Sequence, residues 1–214
     1  MGFMLLQYEF QRANREVNIC QRKGIRINNQ LTRATKRIEK MTSVFDKAKT
    51  ALNKDWDRTQ NAVTQALRNC AMQAAQTGNA AAAAALFNGV VAGIRIGGVV
   101  LGSLISLDPS SIQIPQNATQ AQITQAIQTA VSAAIGQANQ IAQQLIENAR
   151  DIDEAKLEAK QDAQMAPLAE KEADIQAEKS LNDVLTDLWT ERKENAKGKL
   201  PDAIKDSMSG FGLK

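Results

Sequence analysis

From Phe10 onward, apolar or small residues recur at alternating steps of three and four: Phe10, Ala13, Val17, Cys20, Gly24, Ile27, Leu31, Ala34, Ile38, Met41, Phe45, Ala48 and Leu52. The residues between them are polar, as in "QRANRE", "QRKG" and "TKR". A repeat averaging 3.5 residues predicts a helix packed along a supercoiled seam, because that spacing keeps one stripe facing a partner helix. Its large members are Phe10, Val17, Leu31, Ile38, Met41, Phe45 and Leu52, and several alternate positions are small, which lets helices approach closely. After Leu52 the repeat gains four residues and resumes at Trp56, Val63, Leu67, Cys70 and Ala74, a stutter that locally unwinds a left-handed coil. Residues 1–108 contain no proline. Residues 1–76 therefore read as one coiled-coil arm.

The second half carries a weaker pattern. In 118–146, Ile123, Ile127, Val131, Ala134, Ile141 and Leu145 recur at helical steps among Gln, Thr and Asn, predicting an uncharged amphipathic helix. Residues 147–199 turn to Ala, Glu, Lys, Asp and Leu, all compatible with helix. Glu154/Glu158 and Lys156/Lys160 are like-charge pairs four apart, which favours an oppositely charged neighbour. Ile175, Leu181, Val184, Leu185 and Leu188 form an apolar stripe near the end. Pro167 is expected to kink or divide this helix, and "GKLP" at 198–201 to end it. Residues 200–214 would then form a short helix starting at Pro201 and a loose tail, "SGFGLK".

Between the arms, residues 77–107 are almost purely apolar and rich in Ala and Gly, and 108–117 form a turn marked by Pro109 and Pro115. The block 79–107 is 29 residues long, enough to cross a bilayer, which takes about 20. Gly89, Gly93 and Gly97 lie four apart, as do Gly98 and Gly102, the spacing that brings helix backbones together in membranes. On one continuous helix, Leu86, Val90, Ile94, Leu101 and Ile105 would form a greasy face. Asn88, Ala92, Arg95, Gly102 and Ser106 would share a small, partly polar one, suited to a helix partner or a water-filled lumen. An arginine at mid-bilayer costs about 2.5–3.5 kcal/mol, so a lone permanent span is marginal. Two other readings stay open: the block is the dry core of a helical assembly, or "VVAGIRIGGVVLG" forms a β-hairpin, since Val, Ile and Gly sit badly in helices.

Charge adds an asymmetry that the net of +3 hides. Residues 1–76 carry 14 Lys/Arg against 6 Asp/Glu, 77–146 only Arg95 and Asp108, and 147–214 carry 11 against 16. A basic arm, a neutral middle and an acidic arm suit antiparallel pairing within the chain or between subunits. The absence of histidine removes the commonest acid–base residue. The glycine runs lack a phosphate-loop Lys, no metal-ligand cluster appears, and Cys20 and Cys70 form no CxxC pair. Arg95 and Asp108 are about 20 Å apart on one straight helix, too far to pair without a bend. The start, "MGFMLLQYEFQR", is a poor cleavable signal peptide. Nucleic acid is disfavoured as a partner: the basic arm has no aromatic stacking set, and its cations are interleaved with Asn, Gln and Glu.

These observations predict an all-α protein of elongated coiled-coil helices, an antiparallel hairpin or bundle with an apolar central segment. The expected role is non-enzymatic, with no cofactor, metal or small-molecule substrate, and with the chain itself as partner. The candidate membrane or assembly segment comprises Leu86, Gly89, Val90, Gly93, Ile94, Arg95, Gly97, Gly98, Leu101, Gly102 and Ile105. The plan of arm, apolar block and arm, without a signal peptide, resembles in outline the hydrophobic translocators of type III secretion systems, and more loosely the all-helical pore-forming toxins. That resemblance implies membrane lipid as a second partner and a membrane-associated or exported assembly. The competing expectation is a structural subunit of a filament, secretion appendage or phage virion, with the apolar segment as packing core.

Overall fold

The computed structural model describes residues 2–210, and the chain is all-α apart from a four-residue hairpin. Helix α1 spans Phe3–Gln76, α2 spans Ala80–Gly93, and α3 spans Gln120–Gly210. Strands β1 (Arg95–Ile96) and β2 (Val99–Val100) pair antiparallel between α2 and α3, followed by 3-10 turns at Leu101–Ser103 and Pro109–Ser111. The two long helices pack against each other, as the 3.5-residue pattern predicts. The chain divides into two compact units, Met1–Ser43 with Gln161–Lys214, and Val44–Lys160.

The first unit is a layer of two antiparallel helices. Its direction is set by contacts that run backwards along α3: Arg12 lies over Trp189, Cys20 meets Asn182, Lys23 pairs with Glu178, and Thr35 bonds Glu172. Val17 is buried in the α1 seam, while Phe10, Leu31, Ile38 and Met41 are half-buried. Helix α3 answers with Ile175, Asn182, Trp189 and Ala196, spaced by sevens; three are buried and Trp189 is half-buried. Asn182 donates from Nδ2 to the Cys20 carbonyl at 3.1 Å, and its Oδ1 is buried without a partner. A Cβ on Gly24 would come within 3.2 Å of that Nδ2, so the small residue opposite admits the amide.

The second unit adds a third layer. Val63, Leu67, Cys70 and Ala74 of α1 and Ile127, Val131, Ala138 and Ala142 of α3 enclose, with α2 and the hairpin, a core of nineteen buried residues. Away from that core, Phe45 is buried and Leu52 half-buried. The expected neighbour for the like-charge acids is Lys49, whose Nζ lies 3.2 Å from Glu158 and 3.6 Å from Glu154. The hydrogen bond that Lys49 donates to Glu158, then the charges of both acids, raise the Lys49 pKa above its usual value.

Of the expectations about proline, division of the helix at Pro167 and its end at Pro201 need correction. Helix α3 passes through both Pro167 and Pro201 instead of dividing or ending there. Both prolines are exposed, and so are Ala163 and Lys197, whose carbonyls each lose an intrahelical donor. Water satisfies such carbonyls, and the proline φ is already helical, so the helix continues where a buried proline would interrupt it. Residues 200–210 are the end of α3 and not a separate helix; Phe211–Lys214 of the expected tail lie outside the described residues.

Candidate functional site

The apolar segment is not one helix. Helix α2 begins with Asn79, whose side chain accepts from the N–H groups of Ala81 and Ala82, and it ends at Gly93. The chain then turns through Gly97 and Gly98, both at positive φ (58° and 87°). Two such residues form the two-residue turn whose twist matches paired strands, and a side chain at either would be strained. The register pairs Arg95 with Val100 and Ile96 with Val99. No helix among the described residues is long and apolar enough to cross a membrane.

Breaking the helix changes which faces the residues share. In β1 successive side chains alternate, so Ile96 is buried and Arg95 exposed. The expectation that Arg95 lies on a helical stripe with Asn88, Ala92, Gly102 and Ser106 is therefore overturned. Its hydration replaces the need for a buried partner. Asp108 does not serve as that partner; its carboxylate caps the second 3-10 turn, accepting from the Ser110 N–H at 2.9 Å. The hydrogen bonds to Ser110 lower its pKa.

The other segment residues separate by role. Leu101 is fully buried, and Val90, Ile94 and Ile105 are partly buried against the same core; Leu86 is half-buried. Gly89 and Gly93 are exposed, and a Cβ at either would meet nothing within 4 Å, so this pair brings no backbones together within the chain. Gly102 does: a Cβ there would lie 2.8 Å from the Ala92 N and 2.9 Å from its Cα. Gly97 packs against α3, where a Cβ would meet that of Ala149 at 2.8 Å.

One structural residue escapes the pattern. Asn88 donates to the Leu107 carbonyl at 2.9 Å and accepts from the Leu107 N–H at 2.8 Å. A single side-chain amide thus satisfies both backbone groups of a residue nineteen positions away, clamping the returning chain to α2. An Asn in an otherwise apolar run is a signal that a backbone needs a partner. Phe87, Val91 and Ile96 complete the buried set around it.

Chemical groups are sparse. Cys20 and Cys70 are free and buried, and burial raises the Cys70 pKa, away from thiolate reactivity. Among the described residues, no group of three or more Cys, Asp or Glu could hold a metal ion. The ring of Trp189 has the guanidinium carbons of Arg192 and Arg12 at 5.0 Å and 5.8 Å from its centre. Compared with known proteins, the chain matches no family model, no curated protein and no solved structure.

Proposed function

We propose that the protein is a non-enzymatic, self-associating structural subunit, in which the apolar segment is the core of one unit and the two-helix unit meets other copies. The observation that carries this reading is the fate of the segment: Phe87, Val91, Ile96 and Leu101 are at most 1% exposed within their own chain. A segment so occupied serves as a packing core, while apolar side chains such as Leu181 and Val184 on the two-helix unit remain exposed. Sedimentation velocity over a hundredfold concentration range, with negative-stain microscopy, tests the proposal. Discrete oligomers or filaments are expected; a monomer throughout the range would overturn it.

A second reading is membrane contact by the same segment. What favours it is that Val99, Leu104 and Arg95 of this segment are all exposed, two apolar side chains and a cation left outside the core. Flotation with anionic and neutral vesicles tests it: salt-resistant flotation is expected if the segment leaves its core to insert, and retention at the bottom rules it out.

A further inference from the structure

The outward face of α1 in the two-helix unit carries a ridge of cations. Arg15, Arg22, Arg26, Arg33, Lys36 and Lys40 fall on steps of four and three, with Ile19 and Asn29 completing the spacing, and every one is exposed. At 3.6 residues per turn the ridge lies roughly 160° round the helix from the buried seam of Ala13, Val17, Cys20 and Ile27. It runs for about 37 Å from Arg15 to Lys40 at 1.5 Å per residue. Among the described residues none of these six cations is in an ion pair; the inter-helix pair of this unit, Lys23–Glu178, lies elsewhere on the helix.

Helix α3 carries the complement. Leu181, Val184 and Leu188 are spaced by three and four and are 59%, 64% and 41% exposed. The same stripe continues to Asp174 and Glu170 on one side and to Glu191 on the other, all exposed. It too lies opposite its own seam of Ile175, Asn182 and Ala196, so within this unit the ridge and the stripe face away from each other. They cannot meet in one chain.

We infer that the cationic ridge of α1 docks on the acid-flanked apolar stripe of α3 in a second copy of this chain. The cations of the ridge are opposite in charge to Glu170, Asp174 and Glu191, and Ile19 adds one apolar contact to the three on the stripe. Because the two surfaces differ and face opposite ways, each docked pair retains one free ridge on one copy and one free stripe on the other. The contact is heterologous: it propagates as a filament, or closes as a ring if the rotation permits. A phosphate backbone is a poorer occupant, since Ile19 interrupts the ridge and gains nothing from phosphates. The inference rests on the self-association proposed above.

Two full-length variants test it, Arg15→Glu/Arg33→Glu and Asp174→Lys/Glu191→Lys, whose reversed charges are spaced alike at about 25–27 Å along each helix, with circular dichroism to verify that helix content is retained. Each alone should raise the concentration at half-assembly at least tenfold. An equimolar mixture should recover assembly, because each variant then supplies the charge that the other lacks. Raising salt from 0.1 to 1 M should weaken wild-type assembly, as the screening length falls from about 10 to about 3 Å. If both variants assemble like wild type, the docking surface is overturned while self-association stands. If folded variants fail alone and also when mixed, the pairing of ridge with stripe is overturned. A wild-type monomer that binds duplex DNA or anionic vesicles through the ridge overturns both proposals.

Discussion

The two units use the same two helices to opposite effect. In Val44–Lys160, α2 and the hairpin lie on α1 and α3, and nineteen side chains are enclosed. Among the described residues of the other unit the two helices have only each other; Ile27, Ala34 and Ile175 form a small buried cluster with Leu31 packed against it, and Leu6, Ala13, Val17, Cys20, Asn182 and Ala196 are buried along the seam outside it. Two helices share a line of contact, whereas a third layer turns that line into a volume. The thinner unit also leaves Ile19, Ile25, Leu181, Val184 and Leu188 exposed along its helices. One unit is stabilised by burial within the chain, and the other retains surface that burial elsewhere could stabilise.

Mutations can break this contrast. Phe87→Ala should cost about 3–5 kcal/mol, because it empties a fully enclosed site; chemical denaturation measures it. Ile27→Ala in the thinner unit should fall near about 2 kcal/mol, because water can reach the space left behind. Hydrogen exchange should show amides of 127–146 protected longer than those of 15–40; equal protection would erase the contrast. Next in size, Gly102→Ala should destabilise by about 1–3 kcal/mol, as its Cβ meets the Ala92 backbone. Gly89→Ala, in open space on a helix, should be neutral or stabilise by up to about 1 kcal/mol. Thermal melts of the pair check both.

The effect of Asn182→Leu sharpens the contrast differently. It removes a buried carbonyl oxygen without a partner, so denaturation should show little loss or a small gain in stability. Pulsed electron resonance distances between spin labels on α1 and α3 should broaden, because the hydrogen bond to the Cys20 carbonyl fixes the register. An unchanged, narrow distribution would assign register to the apolar seam alone. The smallest effect is electrostatic. The Lys49 pKa is raised in the folded protein, so its contribution is complete below the unfolded value near 10.5 and is lost as pH rises through the folded one. Denaturation at pH 9 and 11 should show a small loss in wild type that Lys49→Met lacks.

The α1 seam is legible because thirteen positions in succession obey one spacing, and no glycine or proline contradicts it strongly enough to end a helix. The division of the apolar segment is less so. An unbroken apolar run has no polar phase from which to read a period, so helix and hairpin both fit. The adjacent Gly97 and Gly98 are the local sign of the turn, but their spacing of four from other glycines points to a helix contact instead. On α3 the visible stripe divides: Leu181, Val184 and Leu188 face solvent, while Ile175 is buried and Leu185 half-buried. The buried face hides behind Asn182, a polar residue where a seam search expects an apolar one. Pro201 misleads for a related reason: its effect depends on whether Lys197 faces water, which the sequence alone does not state.

The hydrogen bond from Asn182 to Cys20 joins residues 162 positions apart, and that separation has a kinetic consequence. Contacts so distant cannot nucleate folding cheaply, because the closure entropy of the intervening chain opposes them. Formation of the Val44–Lys160 unit brings Lys49 against Glu158 and so cuts the chain that the Cys20–Asn182 bond must close to 29 residues of α1 and 24 of α3. The Val44–Lys160 unit is thus expected to form first and the helices of the other unit to pair afterwards. During synthesis, the N-terminal part of α1 must wait for the C-terminal part of α3. Throughout that interval the seam of α1 stands open, and the α3 helix of a neighbouring chain that is already complete can offer it the same Ile175, Asn182 and Ala196 that its own α3 has yet to supply.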